Sequence, residues 1–173
     1  MSQSKALLVI DVQRVYMEPE PKVTSDGDDL IAKCQSLIGK ARAAEVPVVF
    51  VQHRSSDEPN DPALVGIHPD LAPAVDEPIV EKHFGSAFFR TELEEVLARL
   101  GAKTLYVSGL ATFGCVNATV MCAICKDYDV RVVLDAHGTT GFGEITATQM
   151  VEQFNSTWKR AGAKLVAEAE TTF

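Results

Sequence analysis

Short apolar runs alternate with stretches of helical spacing along this chain, and that alternation constrains its fold more than any other feature. Residues 6–10 (ALLVI) form an unbroken apolar run that ends at Asp11. A run of this length and composition is typical of a strand buried on both faces of a parallel sheet. Between residues 28 and 44, apolar side chains recur every three or four positions, as they do on one face of a helix.

The same alternation continues to residue 167. It predicts β-α-β units, in which helices cover a mostly parallel sheet. We therefore predict the α/β class, with a three-layer α/β/α arrangement, in a single domain over residues 1–173. The further predicted strands are residues 46–51, 104–108, 130–134 and 164–167, and the further predicted helices are residues 91–100, 115–126 and 145–161.

Prolines interrupt this pattern in one long segment. Five of the eight prolines lie between Ser55 and Pro78, which predicts an irregular loop there. Because long loops in compact domains are usually functional, we expect this one to contribute to substrate specificity.

The charge balance narrows the classes of partner. The chain has 16 Lys and Arg against 24 Asp and Glu, so its formal net charge is −8. Nucleic acids and anionic membrane surfaces repel such a protein, and no apolar stretch approaches the ~20 residues of a membrane span. Residues 1–5 are polar and do not resemble the start of a signal peptide. We therefore predict a cytoplasmic protein with no nucleic-acid or membrane partner.

The four cysteines are not distributed like a disulfide framework. Three of them, Cys115, Cys122 and Cys125, lie within eleven residues, so we expect free thiols. Cys122 and Cys125 fall inside a predicted helix among apolar neighbours, whereas a redox pair would stand at the helix start. We predict that these two and Cys34 pack in the core.

Cys115 occupies a different position, because it follows a predicted strand and a glycine-containing turn and begins a helix. The positive end of a helix dipole lowers the pKa of a thiol and favours the thiolate. The unpaired amides of the first helical turn could bind an oxyanion. The alternative is a small buried cysteine without reactivity.

Two charged residues also stand at predicted strand ends, where ligands bind in parallel sheets. Asp11 ends a fully apolar strand, and a partly desolvated carboxylate there needs a cation or a chemical task. It could instead cap the following turn. Lys82 ends a short apolar segment and could pair with Asp11, although most such lysines are solvated.

The sequence gives no sign of a cofactor. No pair of histidines has the compact spacing of metal ligands, and no G-x-G-x-x-G pattern follows the first strand. We therefore predict neither a metal nor a nucleotide cofactor.

Three motifs together carry a family resemblance. They are residues 6–13 (ALLVIDVQ), 80–88 (VEKHFGSAF) and 109–116 (GLATFGCV). In order and approximate spacing they resemble the isochorismatase-like cysteine hydrolases, which include nicotinamidases, N-carbamoylsarcosine amidases, ureidoacrylate hydrolases and streptothricin hydrolases. The resemblance covers nearly the whole chain and implies a Rossmann-like topology.

The resemblance implies a catalytic triad of Asp11, Lys82 and Cys115. Asp11 would be the general base, Lys82 would hold Asp11 and stabilise the thiolate, and Cys115 would form a covalent thioester with a small amide, imide or ureide. The backbone amides of Ala111 and Cys115 would form the oxyanion hole, next to a cis peptide bond between Leu110 and Ala111. The family further implies a homo-oligomer.

Departures from the family pattern narrow the reaction. Metal-dependent nicotinamidases carry D-x-H after the second strand, where this chain has Gln52 and His53. True isochorismate hydrolases commonly lack the cysteine, so Cys115 disfavours vinyl-ether hydrolysis. That reaction and a catalytically idle binding or scaffold role stay open as alternatives. The predicted substrate-binding residues are Tyr16, Gln52, His53, His68, Phe84, Phe113 and His137.

Overall fold

The computed structural model describes residues 4–18, 24, 26–56, 59 and 61–173. Residues 1–3 of the predicted polar terminus and residues 57, 58 and 60 of the predicted loop lie outside these ranges. The strands of the described part are β1 (Lys5–Ile10), β2 (Val48–His53), β3 (Ile79–Lys82), β4 (Thr104–Leu110), β5 (Asp129–Gly138) and β6 (Lys164–Val166). The helices are α1 (Arg14–Met17), α2 (Gly27–Ala43), α3 (Pro62–Val65), α4 (Leu93–Arg99), α5 (Asn117–Cys125) and α6 (Ala147–Ala161).

The six strands form one sheet in the order β3-β2-β1-β4-β5-β6, and every neighbouring pair is parallel. Side chains of β1 alternate between two apolar clusters, with Leu8 and Ile10 packing on the α4, α5 and α6 side and Leu7 and Val9 on the α2 side. Burial on both faces explains why the run is apolar throughout. The predicted three-layer α/β/α class is confirmed.

Several boundaries differ from the predictions. The segment that forms β3 was not predicted as a strand, because it has only four residues and buries alternate ones at the sheet edge. β5 extends to Gly138, four residues beyond its predicted end. The helix predicted from Cys115 begins as a π-helical turn over Thr112–Val116, and α5 follows from Asn117.

A glycine allows two strand ends to meet near Asp11. Gly109 pairs with Ile10 across β4 and β1 and has a φ of 116°. A Cβ atom at this position would lie 2.1 Å from the carbonyl oxygen of Ile10. Only glycine fits, so the chain after β4 passes close to the residue that follows β1.

No helix in the described ranges is both long enough and apolar enough to cross a membrane.

Candidate active site

A buried ion pair joins the ends of β1 and β3. Asp11 directly follows β1 and adopts a left-handed conformation with a φ of 53°, which aspartate tolerates better than most residues. Lys82 is the last residue of β3 and is fully buried. Its Nζ atom lies 2.7 Å from Oδ2 of Asp11. The structure therefore brings together two charged residues that are 71 positions apart in the sequence.

The Lys82 ammonium also contacts three further groups. Its Nζ atom lies 3.0 Å from Nδ1 of His53, 3.1 Å from the carbonyl oxygen of Phe84 and 3.1 Å from Sγ of Cys115. Together with Asp11, these groups give the Lys82 ammonium four hydrogen-bond neighbours, whereas it has three N–H donors. The ammonium group is thus the centre of the site, and the predicted triad residues are in mutual contact through it.

Asp11, His53 and Cys115 also form a potential set of metal ligands. Each offers one ligand atom, and the three atoms lie within 4.8 Å of one another. An oxygen, a nitrogen and a sulfur ligand would suit zinc. Lys82 Nζ, however, lies within hydrogen-bond distance of all three side chains, so the chain supplies its own cation between them. The absence of a metal stays a prediction.

Burial raises the pKa of the Asp11 carboxyl above its ordinary value, and the Lys82 ammonium opposes that shift. Burial, followed by the charge of Asp11, raises the pKa of the Cys115 thiol to about 11. The prediction that a helix N-terminus lowers this pKa is therefore wrong, because desolvation and the adjacent carboxylate outweigh the favourable charge of Lys82. A raised pKa of this size favours the neutral thiol form of Cys115 at neutral pH.

The two oxygens of the Asp11 carboxyl have different surroundings. Oδ1 is buried and receives no well-formed hydrogen bond within the described ranges, and the Cys115 thiol is the neighbouring donor that lowers the pKa of the carboxyl. A buried carboxylate oxygen without a donor is costly, and such groups occur where a protein needs an acceptor for chemistry. One oxygen of Asp11 therefore binds Lys82, and the other has no such partner in the described part of the chain.

The turn that carries Cys115 is irregular. The peptide bond between Leu110 and Ala111 is cis, and Gly114 departs from helical geometry with φ −102° and ψ −107°. The carbonyl oxygen of Ala111 accepts hydrogen bonds from the amides of Gly114 (3.0 Å) and Val116 (3.2 Å). The amides of Ala111 and Cys115 therefore belong to one compact turn, and their role as an oxyanion hole stays a prediction.

Two of the predicted substrate-binding residues contact Lys82, and two more lie close in the chain to a residue of the site. His53 contacts Lys82, and Gln52 precedes it as a half-buried residue of β2. The Phe84 carbonyl contacts Lys82, and its side chain is 45% exposed. Phe113 stands two residues before Cys115 and is 52% exposed.

The other three have partners outside the triad. Nδ1 of His68 accepts a hydrogen bond from the amide of Asp70, and the ring lines a cavity of about 650 Å³ beside α2 that no triad residue lines. Tyr16 packs against the apolar cluster on the α2 side. His137 is buried, and both of its ring nitrogens are hydrogen-bonded, to Thr112 and to Asn155.

Gln13 is a structural member of the site that sequence reasoning missed. Its fully buried side chain donates to the carbonyl oxygens of His53 (3.0 Å) and Val65 (2.6 Å) and accepts from the amide of His53 (2.7 Å). These bonds fix the end of β2 and thereby His53. The available signal was its position two residues after Asp11 in the first motif.

One family model matches most of the chain. The family model described as the isochorismatase domain matches residues 5–161. The chain therefore belongs to the isochorismatase family, and the resemblance predicted from the three motifs is confirmed.

Three relatives from different organisms are similar to the chain. The chain is 33% identical to an uncharacterized isochorismatase family protein, YddQ, of Bacillus subtilis, over 78% of each chain. It is 31% identical to the secreted isochorismatase effector Isc1 of Verticillium dahliae, over 87% of this chain and 81% of that one. It is 32% identical to streptothricin hydrolase of Streptomyces noursei, over 78% of this chain and 54% of the relative.

Solved structures resemble the chain over nearly its whole length. A cysteine hydrolase from Pseudomonas syringae pv. phaseolicola superposes with a TM-score of 0.88 at 27% identity, covering 97% of this chain and 90% of the other. An isochorismatase from Pseudomonas putida gives a TM-score of 0.89, also at 27% identity, covering 96% and 89%. The prediction of a hydrolase of this family is thereby confirmed.

Proposed function

We propose that the protein is a metal-independent cysteine hydrolase that cleaves a C–N bond of a small amide, imide or ureide. The observation that carries this proposal is the Lys82 ammonium, which lies 2.7 Å from Asp11 and 3.1 Å from Cys115 in a buried cluster. The similarity to streptothricin hydrolase and to a cysteine hydrolase of known structure supports the same chemistry.

In the proposed first step, Sγ of Cys115 attacks the substrate carbonyl carbon while Asp11 takes the thiol proton. The C–S bond forms, and the π electrons of the carbonyl move to its oxygen, which the amides of Ala111 and Cys115 would stabilise. Since the pKa of the Cys115 thiol is about 11, little thiolate exists at neutral pH and a neighbouring base is needed. Because burial raises the pKa of Asp11, its carboxylate is a better proton acceptor than an ordinary one.

The intermediate then loses its nitrogen. The C–N bond breaks, Asp11 returns its proton to the leaving nitrogen, and ammonia or an amine departs from a thioester of Cys115. Water next attacks the thioester carbonyl and gives its proton to Asp11, the C–S bond breaks, and the proton returns to the sulfur. Lys82 would balance the negative charge of Asp11 when that carboxyl is ionised and that of the Cys115 sulfur when the C–S bond breaks.

The test is a screen of small amides, ureides and nicotinamide for release of ammonia or amine. We expect Cys115→Ala to lower turnover by at least about 1,000-fold, because the covalent step is lost. Cys122→Ala is the matched control, since Cys122 is also half-buried but lies outside the site. Asp11→Asn should be equally inactive, and asparagine tolerates the left-handed backbone at this position.

Full turnover by Cys115→Ala would overturn the proposal. If that variant still cleaved a vinyl ether, the isochorismate-type reaction would replace it. If the wild-type chain turned over none of the compounds and Cys115 reacted with iodoacetamide no faster than the buried Cys34, the idle binding role would be favoured.

We also propose that the protein is a homo-oligomer. Phe84 and Phe89 are about half exposed and stack edge to face with ring centroids 5.0 Å apart, and the Arg90 guanidinium lies over both rings. Exposed aromatic pairs are typical of protein interfaces. Light scattering coupled to size-exclusion chromatography measures the mass, and a monomer would contradict this proposal.

A further inference from the structure

Helix α6 holds both ends of the turn that carries Cys115. At the start of the turn, the hydroxyl of Thr112 lies 2.9 Å from Nδ1 of His137, whose Nε2 lies 3.1 Å from Oδ1 of Asn155 on α6. At the far end, Nε1 of Trp158, also on α6, donates to Oδ1 of Asn117 at 3.0 Å. Cys115 lies between these two attachments, although it makes neither of them.

The hydrogen-bond directions in the first attachment follow from Asn155. Its Nδ2 donates to the carbonyl oxygen of Leu134 at 2.9 Å, so its Oδ1 faces His137. An amide oxygen only accepts, and therefore His137 carries its hydrogen on Nε2. The lone pair on Nδ1 then accepts from the hydroxyl of Thr112. A continuous series of hydrogen bonds therefore connects α6 with the turn that carries Cys115. We call that turn, Thr112–Val116, the nucleophile turn.

Burial and packing make this attachment rigid. Thr112 and Trp158 are fully buried and His137 is 5% exposed. The rings of His137 and Trp158 meet edge to face with centroids 5.0 Å apart. Because all the polar atoms are paired inside the protein, loss of one partner would leave another buried and unsatisfied.

We propose that Thr112, His137 and Asn155 are positioning residues that hold the nucleophile turn, so that the Cys115 thiol stays against Lys82. His137 thus acts through Thr112 and does not touch the substrate. This inference rests on the proposed cysteine hydrolase function, and it assigns to His137 a role other than the predicted substrate contact.

The test compares Thr112→Val, which removes the hydroxyl and keeps the shape, with Thr112→Ser, which keeps the hydroxyl. Thr104→Val is the matched control, because Thr104 is equally buried at the opposite end of β4. The readouts are kcat, KM, the free energy of unfolding in urea, and the rate of Cys115 alkylation by iodoacetamide at pH 9. Asn155→Ala is a second variant, since Asn155 is half-buried and alanine favours a helix.

We expect Thr112→Val and Asn155→Ala to lower kcat by about 10- to 100-fold and to leave KM within about twofold, because misplacement of the nucleophile affects the chemical step. Cys115 alkylation should slow in both variants, and Thr112→Ser should restore both rates. A kcat and an alkylation rate equal to those of Thr104→Val would overturn the proposal, as would a raised KM with unchanged kcat. Alkylation needs no substrate, so it decides this inference even if the proposed amide hydrolysis fails.

Discussion

At the scale of single residues, the site depends on a lysine that is removed from water together with its partner. The pair of Asp11 and Lys82 is almost completely buried, and its Coulomb attraction must offset the desolvation of both groups. Removal of one partner leaves the other charge buried without compensation. The same desolvation keeps the pKa of Cys115 high, and this is why the proposed reaction includes proton transfer to Asp11.

We expect Lys82→Met to lower the free energy of unfolding by about 3–5 kcal/mol, because Asp11 then stays buried without a counter-charge. Combining it with Asp11→Asn should recover part of that loss, since the double variant contains no buried charge at this position. Urea denaturation of the two single variants and the double variant measures the coupling. Additive losses would contradict this account of the pair.

At the scale of the elements, the close approach of β1 and β4 decides where the nucleophile turn lies. Gly109 carries a left-handed φ and faces the backbone of Ile10, and neither feature tolerates a side chain. Because the obstacle is backbone, no side-chain rotation can relieve it. The two strands would have to separate next to Asp11.

We therefore expect Gly109→Ala to lower the free energy of unfolding by more than about 2 kcal/mol. Gly39→Ala is the matched control, because Gly39 lies inside α2 and a Cβ atom there would meet nothing within 4 Å. It should stabilise the protein by about 0.5–1 kcal/mol, since alanine is the better helix former. Equal effects of the two substitutions in urea denaturation would refute the steric argument.

At the scale of the whole molecule, one buried histidine links global stability to pH. Burial lowers the pKa of His137 from 6.5 to about 4, against smaller opposing effects of Asn155 and Asp135. Between those two values the unfolded chain binds a proton that the folded protein excludes. The free energy of unfolding therefore rises with pH across this window. The contribution of His137 to stability is lost as the pH falls through it.

We expect the free energy of unfolding to fall by up to about 3 kcal/mol between pH 6.5 and pH 4 because of this group alone. His137→Asn should flatten the dependence in that window, whatever its effect at neutral pH. Urea titrations at several pH values give the slopes, and identical slopes for wild type and His137→Asn would disprove the linkage.

The sequence by itself determined the features that depend on local periodicity. The apolar run of β1 and the helical spacing of α2 indicated their structures directly, because burial on both faces or on one face leaves a pattern within a few residues. The three motifs were sufficient to identify the family. The short edge strand β3 was not predicted, because four residues with alternate burial leave too weak a pattern in the sequence.

Only the tertiary structure decided what each polar side chain does. Nothing near Lys82 in the chain shows that its ammonium contacts Cys115, 33 residues away, and nothing near His137 shows that it binds Thr112, 25 residues away. The pKa of the Cys115 thiol was predicted to be lowered, but burial and the neighbouring Asp11 raise it. Charge, desolvation and hydrogen bonding act through space, so residues distant in the sequence set the chemistry of this site.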